Sequence, residues 1–109
     1  MPDARPIAKD AFSLFAKGRL DDAVARYREA VEADPSLSIA WNGLSMALAK
    51  RGDFEEAIEC ARKLVELEPD DPLSHTNLSR ILMQDGKIPE AEAASARAMQ
   101  AQMKQRGGA

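Results

Sequence analysis

Two periodicities run through the sequence, one nested in the other. Within short windows, apolar residues recur at helical spacing: Trp41, Leu44 and Leu48 form one stripe, and Ala57, Ala61 and Leu64 another. Across the chain the same columns return every 34 residues, as in Gly18, Gly52 and Gly86, Ala23, Ala57 and Ala91, Leu14, Leu48 and Leu82, and the pair Pro35 and Pro69. A shared period in four columns divides the chain into three copies of one unit, at 4–37, 38–71 and 72–105, with 106–109 left as a flexible tail. Each unit reads as two helices joined by a tight turn. The glycine ends the first helix, because a residue free to turn left-handed closes a helix C-terminus. Acids open the second (Asp21 and Asp22, Glu55 and Glu56, Glu90 and Glu92), where negative charge complements the helix dipole. Pro89 suits a first helical turn, and Pro35 and Pro69 disfavour helical geometry at Asp34 and Glu68. Small residues sit where the two helices must meet: Ala23, Ala57 and Ala91 on one side, Ala11, Ser45 and Ser79 on the other. A bulky side chain there should over-pack the hairpin and cost about 1–3 kcal/mol.

Composition agrees with one all-α domain over residues 1–109. Apolar residues make up 45% of the chain and charged residues 30%, enough for a folded core. Strong helix formers dominate, and runs of β-branched and aromatic residues are missing. The net charge of −3 lacks the basic field on which phosphate binding depends, so no nucleic-acid partner is expected. No apolar run approaches the roughly 20 residues of a membrane span. Residues 1–10 lack the apolar core of a signal peptide, so a cytoplasmic location is expected. Cys60, the only cysteine, leaves no internal disulfide and fits a reducing compartment.

The repeating columns resemble the tetratricopeptide repeat, a 34-residue helix–turn–helix family. The second unit carries Trp41, Leu44, Ser45, Leu48, Gly52, Phe54, Ala57 and Pro69 at the family's signature places. The first carries Ala11, Leu14, Gly18, Ala23, Tyr27, Ala30 and Pro35, and the third Leu78, Ser79, Leu82, Gly86, Ala91 and Ala98. The departures are Asp10 at a leucine place, His75 at the tryptophan place and Met103 at the proline place. Asp10 is tolerable if no unit precedes it. Without a proline the last helix should run on toward Arg106. The resemblance implies a right-handed helical solenoid of six helices whose first helices line a concave groove.

The groove residues so implied are Lys9, Phe12 and Phe15 from the first unit, Ile39, Asn42, Met46 and Lys50 from the second, and Leu73, Asn77, Arg80 and Met83 from the third. The residues themselves give independent support. Ile39 and Met46, seven apart, lie off the stripe of Trp41, Leu44 and Leu48, and Phe12 lies off that of Ile7, Ala11 and Leu14. A helix apolar on two faces is either sandwiched in a core or offers a binding surface. The expected function is a non-catalytic adaptor or scaffold that binds a protein or peptide with apolar anchors and acidic character, as a helix or an extended strand. Lys9, Lys50 and Arg80 would meet acids, and Asn42 and Asn77 a peptide backbone. The carboxylate clamp that resembling proteins use for chaperone tails is absent, since Ala8, Phe12, Gly43, Leu73 and Asn77 occupy its places. No phosphate loop, nucleophile elbow or metal-binding helix motif occurs, so neither enzyme activity nor a cofactor is expected. His75 reads as structural and Cys60 as a buried thiol. The alternative is self-assembly as a homodimer through an uncapped, alanine-rich last helix, with Ala94, Ala98 and Met99 as the contact.

Overall fold

The computed structural model describes residues 3–107. They form six helices: α1 (Arg5–Ala16), α2 (Leu20–Ala33), α3 (Ser38–Arg51), α4 (Phe54–Leu67), α5 (Pro72–Gln84) and α6 (Ile88–Arg106). Consecutive helices pair into three hairpins, and each hairpin packs only on its neighbour in the chain. The first helices α1, α3 and α5 touch one another in order, whereas the backbones of the second helices stay apart among the described residues, α2 and α4 meeting through the Arg28–Glu56 ion pair. The stack is therefore a helical solenoid that curves with its first helices inside.

The three glycine turns are one device used three times. Gly18, Gly52 and Gly86 take φ of 78°, 91° and 78°, a left-handed geometry that costs other residues strain. The next backbone N–H then reaches back to the helix. Arg19 donates to the Leu14 carbonyl at 3.0 Å, Asp53 to Leu48 at 2.9 Å and Lys87 to Leu82 at 2.9 Å. At the far end, Asp34 turns extended and Glu68 leaves helical geometry just before Pro35 and Pro69, stopping α2 and α4 at 14 residues each. No proline stops α6, which runs to 19 residues. Arg106, assigned by the period to a tail, is its last helical residue. Gly108 and Ala109 lie outside the described residues.

Between units the same bond also recurs. The Trp41 Nε1–H donates to the Pro35 carbonyl at 2.7 Å, and 34 residues on, His75 Nε2 meets the Pro69 carbonyl at 2.7 Å. His75 thus does the work of a tryptophan, buried and holding the turn that precedes its helix. The carbonyl partner requires the proton on Nε2, and Nδ1 is left buried without a partner. Asp10, exposed on the first face, takes the Arg26 guanidinium at 2.7 Å.

Two expectations are corrected. Gly43, which the resemblance put at a clamp place in the groove, lies under the Tyr27 ring of α2, where a Cβ would stand only 2.2 Å from the ring carbons. In α6, Ala94 and Ala98 do not face outward. With Ala91 and Ala101 they form a single buried stripe at helical spacing, and among the described residues α5 is the only helix that α6 packs against. They close the last hairpin and are not free for self-association, while Met99 remains exposed. The outer face of α6 carries Glu92 and Ser95, exposed at the places where Val24 and Tyr27, or Ile58 and Ala61, are buried in the earlier units. That substitution of polar for apolar residues is how a solenoid end faces water.

Candidate functional site

The concave face is built from helical stripes that point away from the hairpin cores. On α3 the stripe is Ile39, Asn42, Met46 and Lys50, and on α5 it is Leu73, Asn77, Arg80 and Gln84. Each falls at intervals of three or four residues, so each lies on one face of its helix. Most of the apolar members are open to solvent: Leu73 is 73% exposed, Ile39 63%, Phe12 59% and Met83 48%. A protein surface seldom leaves so many large apolar side chains uncovered along one face without a partner for them.

Two clefts shape this face. One, of about 310 Å³, lies at the starts of α3 and α5 and is lined by Ile39, Asn42 and Leu73, with Ser38, Leu64, Glu68, Asp71 and Ser74. The other, of about 640 Å³, lies at the ends of α1, α3 and α5 and is lined by Phe15, Met46, Ala49, Lys50, Asn77, Arg80 and Gln84, over a floor of Phe54 and Ile81. Lys9, Phe12 and Met83 line neither cleft and stand exposed on the same first helices. Phe54 was not read as part of the groove. Its signal was present, because Leu20, Phe54 and Ile88 fill one apolar place at the head of each second helix.

Charge divides the two clefts. Lys50 and Arg80 border the larger one, and no carboxylate lines it. Glu68 and Asp71 border the smaller one, where Glu68 accepts from the Ser38 hydroxyl at 2.8 Å and Asp71 caps α5 through the Leu73 N–H at 3.0 Å. Elsewhere Arg5, Arg19, Arg26, Arg28, Arg51, Lys63, Lys87 and Lys104 each meet a carboxylate, while Lys17, Arg62, Arg97 and Arg106 meet none among the described residues. Lys9, Lys50 and Arg80 have no such partner among the described residues. Asn77 is 7% exposed, and its amide nitrogen donates to Asn42 Oδ1 at 3.0 Å and to Ser45 Oγ at 2.9 Å. Asn42 and Asn77, read as separate anchors, are one linked pair.

Away from the groove the reactive groups are quiet. Cys60 is buried, and burial, with the Glu56 carboxylate second, pushes its thiol up to about 11. At neutral pH it is a protonated thiol without nucleophilic character. No helix among the described residues is long and apolar enough to cross a membrane.

The sequence model of the tetratricopeptide repeat family matches residues 11–72 and again 46–105, and the chain belongs to that family. No curated relative matches the sequence. Among solved structures the fold is similar to MamA (MSR-1, C2), with 21% identity and a TM-score of 0.86 over 94% of this chain and 59% of that one. It is similar to the Yersinia enterocolitica type III secretion translocator chaperone SycD, in an alternative dimer, with 19% identity and a TM-score of 0.84 over 97% and 84% of the two chains. It is also similar to the second such domain of Spaghetti (RPAP3) bound to the HSP90 peptide SRMEEVD, with 18% identity and a TM-score of 0.83 over 91% and 92%. The chain spans about three fifths of the length of the MamA structures it matches. At these identities the likeness is one of fold.

Proposed function

We propose that the protein is a non-catalytic adaptor that holds a segment of a partner protein in its concave groove. The observation that carries this reading is the row of exposed apolar side chains on the first helices, Phe12, Ile39, Met46, Leu73 and Met83, bordered by the unpaired bases Lys9, Lys50 and Arg80. Burying such side chains against a partner releases about 25 cal/mol per Å² of apolar surface, and the bases favour a ligand that carries carboxylates. That the similar Spaghetti domain holds a peptide supports the reading. The mode of capture differs from a carboxylate clamp, because Ala8 and Gly43 are buried at two of its places, and Phe12 and Leu73 are apolar at two more. The test is a pull-down from native lysate with the chain and with the Phe12→Glu/Met46→Glu variant, after circular dichroism shows both helical. Both side chains are exposed, so folding should survive and the partner should be lost. A partner retained equally by both would end the groove reading.

The exposed Met99 and Met103 on α6 favour a second reading, association of two copies through the outer side of that helix. Sedimentation across a concentration series tests it: a mass that rises with concentration and returns to the monomer in Met99→Glu would support it. A constant monomer mass would end it.

A further inference from the structure

Glu92, Met99 and Arg106 stand seven apart on α6, with Ser95 and Met103 between them. At about 100° per residue all five lie within about 40° of the Met99 direction, so they form one straight seam along the helix. The whole seam is open, Met99 at 62% and Met103 at 67% exposure. In the earlier units the matching places are covered. Val24 and Tyr27 of α2, and Ile58 and Ala61 of α4, are buried, and the following hairpin packs on each of those helices. The seam is therefore the face on which this fold docks a helix. A further hairpin of the same kind would bury Glu92 at the place of Val24 and Ile58, and an unpaired carboxylate resists that. Neither Glu92 nor Arg106 meets an opposite charge among the described residues.

We infer that two copies of the chain pair antiparallel through α6 about a two-fold axis at Met99, with Glu92 of each against Arg106 of the other. This rests on the self-association reading above and deepens it by fixing direction, register and the groups that choose them. In an antiparallel pair centred on Met99, residues equally far on either side of it face each other. Glu92 and Arg106 each lie about 10 Å from Met99, at 1.5 Å rise per residue, so they come opposite one another. The two-fold axis repeats the contact, and one seam holds two ion pairs, one at each end. Ser95 then faces Met103 of the second copy, small against large, and the two Met99 side chains meet on the axis. Methionine suits that meeting, because its flexible thioether adapts to the space it finds. A parallel pair would set Glu92 against Glu92 and Arg106 against Arg106. Sliding one helix by a turn would set Glu92 against Gln102 and Met103, or carry it past Arg106. The charges thus admit one direction and one register, and in the monomer the same charges keep the face wet.

The test is sedimentation equilibrium of the full chain from about 1 µM to about 1 mM, with circular dichroism showing each variant helical. The wild type should pass from monomer to dimer across that range. Glu92→Arg and Arg106→Glu each turn two attractions into two repulsions, and each should raise Kd about tenfold. Both side chains are exposed, so the fold should survive either change. Combined in one chain, Glu92→Arg/Arg106→Glu restores both pairs in the reverse sense, and Kd should return to within about twofold of the wild type. At about 1 M salt the single variants should match the wild type, since screening removes the repulsion. Single variants without effect, or a double variant as weak as the singles, would overturn the antiparallel seam. Met99→Glu separates that failure from failure of the broader reading. If it abolishes a dimer that ignores the charge changes, two copies still meet through α6, and only the direction and register fall. A dimer that survives Met99→Glu, or a monomer across the whole range, would end both.

Discussion

The two junctions between hairpins solve one packing problem in opposite ways. Where the first unit meets the second, Tyr27 from α2 lays its ring over Gly43 of α3. At the next junction the 34-residue period puts Ala61 in the tyrosine's place and Asn77 in the glycine's, both buried. Bulk has moved from the second helix of one unit to the first helix of the next. At the first junction a ring fills the space between the two helices; at the second, an amide that Asn42 and Ser45 hold fills it. A repeat can therefore keep its backbone while exchanging an aromatic filling for a polar one, provided the two facing volumes change together.

The largest expected effect tests that exchange directly. Gly43→Asn puts a Cβ into the Tyr27 ring and should cost about 3 kcal/mol, the upper end of over-packing. Tyr27→Ala alone should cost a similar amount, about 3–5 kcal/mol, by leaving a cavity. If the junctions are interchangeable solutions, the double variant should fall short of the sum by about 2 kcal/mol in denaturant titration. Strict additivity would mean that the first junction does not tolerate the second one's packing, and the comparison would fail.

This exchange was the part of the fold least legible in the sequence. Helix ends were readable because glycine turns and the residues before proline are local chemistry, and the hairpins were readable because their seams repeat at helical spacing. The link between Asn42 and Asn77 joins residues 35 apart and depends on how two hairpins lie on each other. The phase of α6 was obscured by its composition: alanine at 91, 93, 94, 96, 98 and 101 leaves several stripes equally apolar, and packing on α5 selects 91, 94, 98 and 101. The signal that could have set the phase was polar. Glu92 and Ser95 fall on the places of Val24 and Tyr27, which marks that side of the helix as facing water.

A smaller effect separates the two ring-to-carbonyl bonds. Trp41→Phe removes a satisfied donor and leaves the Pro35 carbonyl without it, for about 1–1.5 kcal/mol. His75→Phe removes the equivalent bond to Pro69 but also removes the orphaned Nδ1, so it should cost less, about 0.5–1 kcal/mol. Thermal unfolding of both variants ranks them. A larger loss at His75 would mean that the Nδ1 lone pair is satisfied in solution, and the two turns would then be equivalents in full.

The smallest effect concerns the ion pairs that cross the same two junctions. Arg28 of α2 makes two bonds to the Glu56 carboxylate of α4, whereas Lys104 of α6 makes one to Asp70 in the turn before α5. All four side chains are well exposed, so a double-mutant cycle should give about 0.5 kcal/mol for the forked arginine pair and close to zero for the lysine pair. Both couplings should vanish near 1 M salt, where the screening length shrinks to about 3 Å. A coupling at Arg28 that survives the salt would point elsewhere. That side chain also lines the convex cleft beside Val31, Trp41 and Leu44, and its methylene stem would then be holding the first junction by packing, with the charge incidental.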